Sequence, residues 1–438
     1  MKNFRSFFRT GVIITLATLA GSAYSADEFE YHGYFRTGIG ASEGGTDQVC
    51  YQLPRAGGNF FRLGNECGTY GELEFTKIFG DKNGTKPWFQ ASVLNAFTSN
   101  TDQSYEEVGT NSSMFLANIY IEGNGLLPGD AKVWVGKRFY QRRGIHMLDL
   151  FYISSAGPGA GVYDLDVGPG KFDLALFRSQ QTNGPTQSTL DLRYDMKAAG
   201  DLEVVAMTTA TGKRNGSTGD HEFEALSGNS LTLTHKMKSG GFSNTFAAQY
   251  GTGLLGAHKA TPEGTSLNNY NNGNTVAKDN TVDRDAIQDS SSMRIIDEVM
   301  LEGKDYAASF VALYTSSDFG GAVDSLGSKV KTRTVTSFGV RPYYFLTDTQ
   351  ALAIEVGTTT YSNPWLADSA TGSDKSWTLN HTTFAYNLRM SKGYYARPEF
   401  KFYVTRASWN DDASGVAASQ NYSGTDGFSI GAQAEVWW

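Results

Sequence analysis

The sequence predicts an all-β fold, a transmembrane antiparallel β-barrel. Three observations carry this: an export signal at the amino terminus, short segments that alternate apolar with polar residues, and no run of eighteen consecutive apolar residues that could cross a membrane as a helix.

The export signal comes first in the chain. Lys2, Arg5 and Arg9 precede an apolar run, Gly11 to Ala20, which is about half the length of a spanning helix, and Ala23-Tyr24-Ser25 supplies the small residues of a cleavage site. Residues 1–25 are therefore expected to be a signal peptide and residues 26–438 a single large domain, since no linker or composition break follows. Removal of the signal takes away three basic residues and leaves 34 Lys+Arg against 45 Asp+Glu, a net charge near −11. Such a chain is not built to bind nucleic acid. Export also bears on Cys50 and Cys67, seventeen positions apart. They suit one disulfide closing a loop, with a two-cysteine metal site as the alternative.

Composition favours strands: 50 Gly, 23 Tyr and 27 Phe stand against only 10 Pro in 438 residues. The alternation is clearest at the carboxyl terminus, where Phe428, Ile430, Ala432, Ala434, Val436 and Trp438 fall on one face. Ser429, Gly431, Gln433, Glu435 and Trp437 fall on the other. Thr69, Gly71, Leu73 and Phe75 likewise oppose Tyr70, Glu72 and Glu74, and Pro398, Phe400, Phe402 and Val404 oppose Arg397, Glu399, Lys401 and Tyr403. So many half-apolar strands can turn their apolar faces only to lipid, which leaves the charged faces around a lumen. At about ten residues each, roughly sixteen to twenty strands account for the length. Leu346 to Gln350 reads as a short turn, Leu267 to Ser292 and Asn410 to Gly427 as long outer loops, and Trp438 as part of an interfacial aromatic girdle.

No catalytic or metal site is expected, and no cofactor. Gly427-Phe428-Ser429-Ile430-Gly431 matches the nucleophile-elbow pattern, but no helix follows it before the chain ends. The six histidines lack the spacing of a metal-ligand pair. Gly157-Pro158-Gly159-Ala160-Gly161 lacks the lysine and helix of a phosphate cradle and reads as a bend in a long loop. The informative pattern is aromatic residues on faces that otherwise carry charge: Tyr34 with Arg36, Tyr70 with Glu72, Tyr395 with Arg397, and Trp437 with Glu435. Wall packing explains them, and so does a stacking surface for sugar rings flanked by hydrogen-bonding charges.

At these residues the sequence resembles the maltoporin family of sugar-specific porins, from Phe29 to Trp438. The resemblance rests on His32-Gly33-Tyr34-Phe35-Arg36, on Arg62-Leu63-Gly64-Asn65-Glu66-Cys67, on Gly136-Lys137-Arg138-Phe139-Tyr140-Gln141-Arg142, and on His146-Met147-Leu148-Asp149. Gly157 to Gly161, Gly431-Ala432-Gln433 and Trp437-Trp438 complete it. It implies an eighteen-stranded barrel in the bacterial outer membrane, in contact with its lipid and assembled as a homotrimer. A loop around Gly144 to Gly161 would fold inward and narrow each pore.

The resemblance further implies facilitated diffusion of sugars, with maltose and maltodextrins or another oligosaccharide or glucoside as the solute; a general diffusion porin is the alternative. The family's aromatic slide would map onto Tyr34, Tyr70, Phe246, Tyr395 and Trp437, and its polar track onto Arg36, Arg62, Glu72, Arg142 and Asp149. Tyr105 is a counterpart of a slide tryptophan donated by a neighbouring subunit. The constriction departs from the family at Phe115, Gly144, Phe151 and Ser154, where charged or hydroxylated groups are lost. Selectivity resides in the narrowest part of a pore, so these losses bear on which sugar is preferred.

Overall fold

The computed structural model describes residues 28–53, 60–100, 109, 112–180, 186–212, 225–256, 284–321, 331–362, 376–410 and 424–438. The expected signal peptide, Tyr105 and most of the two long outer loops lie outside the described residues.

Among the described residues, nineteen antiparallel strands form one sheet. In chain order they are β1 (Phe29–Ser42), β2 (Thr46–Asp47), β3 (Gly68–Phe79), β4 (Trp88–Asn100), β5 (Ser112–Asn124), β6 (Lys132–Ile145) and β7 (Leu150–Val167). There follow β8 (Gly170–Gln180), β9 (Thr186–Lys197), β10 (Asp201–Thr211), β11 (Ser227–Ser239), β12 (Phe242–Gly253) and β13 (Ser291–Glu302). The last six are β14 (Tyr306–Asp318), β15 (Arg333–Phe345), β16 (Gln350–Ser362), β17 (Ser376–Arg389), β18 (Glu399–Trp409) and β19 (Asp426–Trp437). The two-residue β2 pairs only with the end of β1. The other eighteen strands each pair with the next, and β1 pairs with β19, Tyr34 opposite Trp437, which closes the barrel. Closure removes the sheet edges, so the strands' backbone groups are satisfied without water on the outside.

The alternation fixes what faces out. Ile39, Val135, Ile354, Phe384, Phe400 and Ile430 are exposed on the outer surface, whereas their neighbours Glu355, Thr383, Glu399 and Ser429 are buried inside. Tight connections gather at one end: Val167 and Gly170 pair across two residues, and Leu346 N–H donates to the Gln350 carbonyl at 2.9 Å. Exposed aromatics, among them Phe29, Tyr31, Phe79, Phe89, Tyr306, Tyr344 and Trp438, lie at strand ends near this end of the barrel.

The run Gly157 to Gly161 is not a bend. It lies inside β7, with Gly159 paired to Gly136 on one side and to Phe177 on the other. Glycine serves close approach here, because a Cβ on Gly161 would lie 2.6 Å from the Leu174 carbonyl and 2.8 Å from the indole nitrogen of the buried Trp134.

Part of the interior is filled by chain that leaves the wall. Cys50 and Cys67 form a disulfide, and described residues of the segment they close, Phe61 to Gly64, lie against β15 to β18. Its Leu63 N–H donates to Glu355 at 2.9 Å, its Leu63 carbonyl accepts from Thr383 at 2.9 Å, and its Gly64 carbonyl accepts from Thr405 at 3.3 Å. Phe61 sits over Gly339 and Gly357, where a Cβ would come within 2.0 and 2.3 Å of its ring. The β6–β7 tip forms the second such element. Met147, Leu148, Leu150 and Tyr152 join the inward residues Ala247, Ile296, Val311 and Leu313 of β12 to β14 in one apolar cluster. The two elements meet where Phe61 N–H donates to the Met147 carbonyl at 3.0 Å.

Candidate functional site: an aromatic and arginine-lined cavity in the lumen

Beside these two elements, an open cavity of about 430 Å³ remains against the wall formed by β1, β3, β6 and β19. Tyr34, Arg36, Arg62, Tyr70, Glu72, Arg142, His146, Asp149, Phe151 and Trp437 line it. Residues hundreds of positions apart thus share one space, because β1 pairs with both β3 and β19.

The aromatic side is continuous. Tyr34 stacks on Trp437 with ring centroids 6.4 Å apart and planes 21° apart, and its other neighbour Tyr70 lies at 6.0 Å. His146 stands edge-on to Trp437 at 6.4 Å and to Tyr395 at 5.5 Å, which brings the 390–398 connection to the same region. Arg397 lies over the Trp437 ring at 4.5 Å, a cation–π contact that holds the indole in place.

The charged side is tightly paired. Arg36 and Arg62 both reach one oxygen of Glu66, at 2.5 and 2.6 Å, and Arg62 also lies 3.3 Å from Glu435 and 3.9 Å from Asp149. Glu435 in turn meets Lys401 and Arg397, each at 2.7 Å, and accepts the Tyr34 hydroxyl at 3.1 Å. Arg142 is placed differently. Its guanidinium lies over Phe139 at 3.8 Å and Phe151 at 4.4 Å, and its carboxylate partner Glu72, fixed by the Tyr70 hydroxyl at 2.5 Å, is 3.9 Å away.

Burial works against the Arg62 charge, but Glu66 and Glu435 outweigh it and hold the guanidinium well above its ordinary range. For His146, burial and then the charge of Arg62 push the imidazole well below the usual histidine range, against the pull of Glu435. Its Nε2 lies 3.8 Å from Glu435, and neither ring nitrogen has a partner within hydrogen-bonding distance among the described residues.

All five residues expected to form a polar track line this cavity, as do Tyr34, Tyr70 and Trp437 of the expected slide, with Tyr395 adjacent through His146. Phe246 is elsewhere. It is exposed on the outer side of β12 with Tyr250, opposite in direction to the inward Ala247 and Gln249. Of the four departing positions, Phe151 lines the cavity and Gly144 pairs with it across the β6–β7 hairpin. Phe115 faces inward from β5 opposite the buried Ala96, and Ser154 is half-buried in β7. Sequence reasoning gave His146 an ordinary role and gave Glu66 none. Both belong to the blocks that carry the family resemblance, and that was the available signal.

A closed barrel with an apolar exterior, exposed aromatics near one end and a charged interior has the architecture of an outer-membrane diffusion channel, and its place is the bacterial outer membrane. The LamB porin family model matches residues 29–438, and the chain belongs to that family.

Among solved structures, the chain is similar to OccD3 (OpdP) of Pseudomonas aeruginosa at 10% identity, covering 96% of this chain and 93% of that one with a TM-score of 0.47. It is similar to OccAB2 of Acinetobacter baumannii at 11% identity, covering 94% and 98% with a TM-score of 0.47. OpdK of Pseudomonas aeruginosa, solved with vanillate, matches at 9% identity, covering 94% and 99% with a TM-score of 0.46.

Proposed function

We propose that the channel carries sugars by facilitated diffusion, along an aromatic slide of Tyr34, Tyr70, Trp437 and Tyr395 beside a polar track of Arg36, Arg62, Glu72, Arg142 and Asp149. The observation that carries this reading is the stacked Tyr34–Trp437 pair facing three guanidinium groups across one cavity. A sugar ring offers an apolar face to the former and a rim of hydroxyls to the latter. Phe246, facing outward, takes no part.

The β6–β7 tip and the disulfide segment constrict the lumen from one side, and Phe151 and Phe115 make part of the passage apolar where the family offers hydrogen bonds. Selectivity among maltose oligomers, sucrose and β-glucosides is correspondingly relaxed. The channel works as a homotrimer in outer-membrane lipid.

A channel must release what it binds. Several stacking contacts of roughly 0.5–1.5 kcal/mol each, offset by desolvation, give millimolar affinity, about −4 kcal/mol. Conductance of the purified channel in planar bilayers, titrated with maltose oligomers, sucrose and β-glucosides, should show saturable block. Trp437→Ala should weaken that block about two- to twelvefold while leaving open conductance nearly unchanged. Conductance indifferent to every sugar would replace this reading with a general diffusion porin.

A further inference from the structure

Each of the three guanidinium groups that line the cavity has a carboxylate within 4.0 Å: Glu66 for Arg36 and for Arg62, Glu72 for Arg142. The lumen is strongly polar, yet its cations are locally neutralised. Glu66 is the pivot of that balance, because a single oxygen of its carboxylate serves two arginines and its side chain is 0% exposed. It lies behind the lining and does not face the cavity itself. A carboxylate so placed is screened by mobile ions much less than an exposed one would be.

Its position is set from both sides. The next residue, Cys67, is tied to Cys50. The preceding Asn65 accepts the Tyr51 N–H at 2.7 Å and donates to the Tyr51 carbonyl at 2.8 Å, which fixes the two arms of the loop to each other. The covalent and hydrogen-bonded crosslinks thus deliver one negative charge to a point inside the barrel wall between Arg36 and Arg62.

We infer that Glu66 is a buried counter-charge that sets the channel's solute class, holding the lumen to uncharged sugars and against anionic ones. This rests on the sugar-channel reading. Neutral hydroxyls accept from the Arg36 and Arg62 N–H groups while those groups stay paired with Glu66, whereas a sugar carboxylate would compete with Glu66 for them. Without the Glu66 charge, Arg36 loses its carboxylate and Arg62 keeps only Glu435 and the more distant Asp149. The cavity then carries one more net positive charge and draws anions. Glu66 is a positioning residue, since it acts on solutes through the two arginines.

The test is the zero-current potential of the full-length channel in a KCl gradient, with block by maltotriose and by trigalacturonate measured on the same channels. Glu66→Gln should raise the chloride-to-potassium permeability ratio at least about threefold and strengthen block by trigalacturonate over maltotriose. Glu66→Asp should restore the parent ratio, and Arg36→Gln should move it toward potassium. A Glu66→Gln channel with the parent ratio overturns the inference. Should that variant fail to form a barrel, Arg36→Gln decides: a shift toward potassium supports the counter-charge, and no shift overturns it. The ratio is read without any sugar, so a parent channel that maltotriose does not block defeats the sugar reading separately.

Discussion

Between β12 and β18 the inward side chains meet protein, while between β1, β3, β6 and β19 they meet open space. On the first side, Phe61, Met147, Leu148 and Tyr152 turn the lumen into a packed core of the kind a soluble protein would have. On the second, Tyr34, Trp437 and three arginines face a cavity of about 430 Å³. Strand alternation is the same on both sides, so it decides only what faces inward. Which inward surface becomes core and which becomes passage is decided by the two chain segments that leave the wall.

The largest effect that would test this division lies on the filled side. Glu355 joins Arg341 at 2.5 Å, both side chains 1% exposed, and also accepts the Leu63 N–H of the disulfide segment. Glu355→Ala leaves a buried, uncompensated guanidinium and unlatches that segment, and should cost about 3–5 kcal/mol. The urea or heat midpoint of the folded barrel reads this, and an unchanged midpoint would mean the segment is not anchored there.

Replacing both Cys50 and Cys67 with serine should cost about 3 kcal/mol in the chain-entropy picture, with the same fall seen when the parent channel is reduced. Leu148→Ala removes an apolar side chain from the tip and should cost about 2 kcal/mol, the low end for leucine truncation. If the tip narrows the passage, that variant also conducts more. The smallest effect belongs to Phe246→Ala, which should change sugar block by less than about twofold because the ring points away from the cavity. A larger change would return Phe246 to the slide.

Much of the barrel was legible in the sequence because a period of two is a local property. Phe428 to Trp438 and Tyr70 to Phe75 could be assigned faces without knowing any partner, and the turn at Leu346 to Gln350 fell where the alternation paused. The disulfide segment shows no such period. Its Phe61 and Leu63 become interior residues only through Gly339 and Glu355, nearly three hundred positions away, and no local pattern announces that.

Gly157 to Gly161 misled for the complementary reason. Glycine and proline usually mark turns, but here they make room for Trp134 within a strand. Phe246 sits on the outer face because its parity follows Tyr250, which the alternation of β12 itself indicates. At the cavity, the matched blocks supplied the lining residues, while the pairing of Arg36 and Arg62 through Glu66 required the folded loop.

The seam between β1 and β19 carries a consequence for biogenesis. Tyr34 and Glu435, joined by a hydrogen bond, are 401 positions apart, and the ring partner Trp437 follows two residues later. Loop-closure entropy disfavours this contact until the intervening strands have paired and brought the two ends of the chain together. The cavity's lining is complete only when β1 and β19 are paired. Any measurement that reads the Tyr34–Trp437 contact therefore doubles as a readout of a barrel that has finished closing.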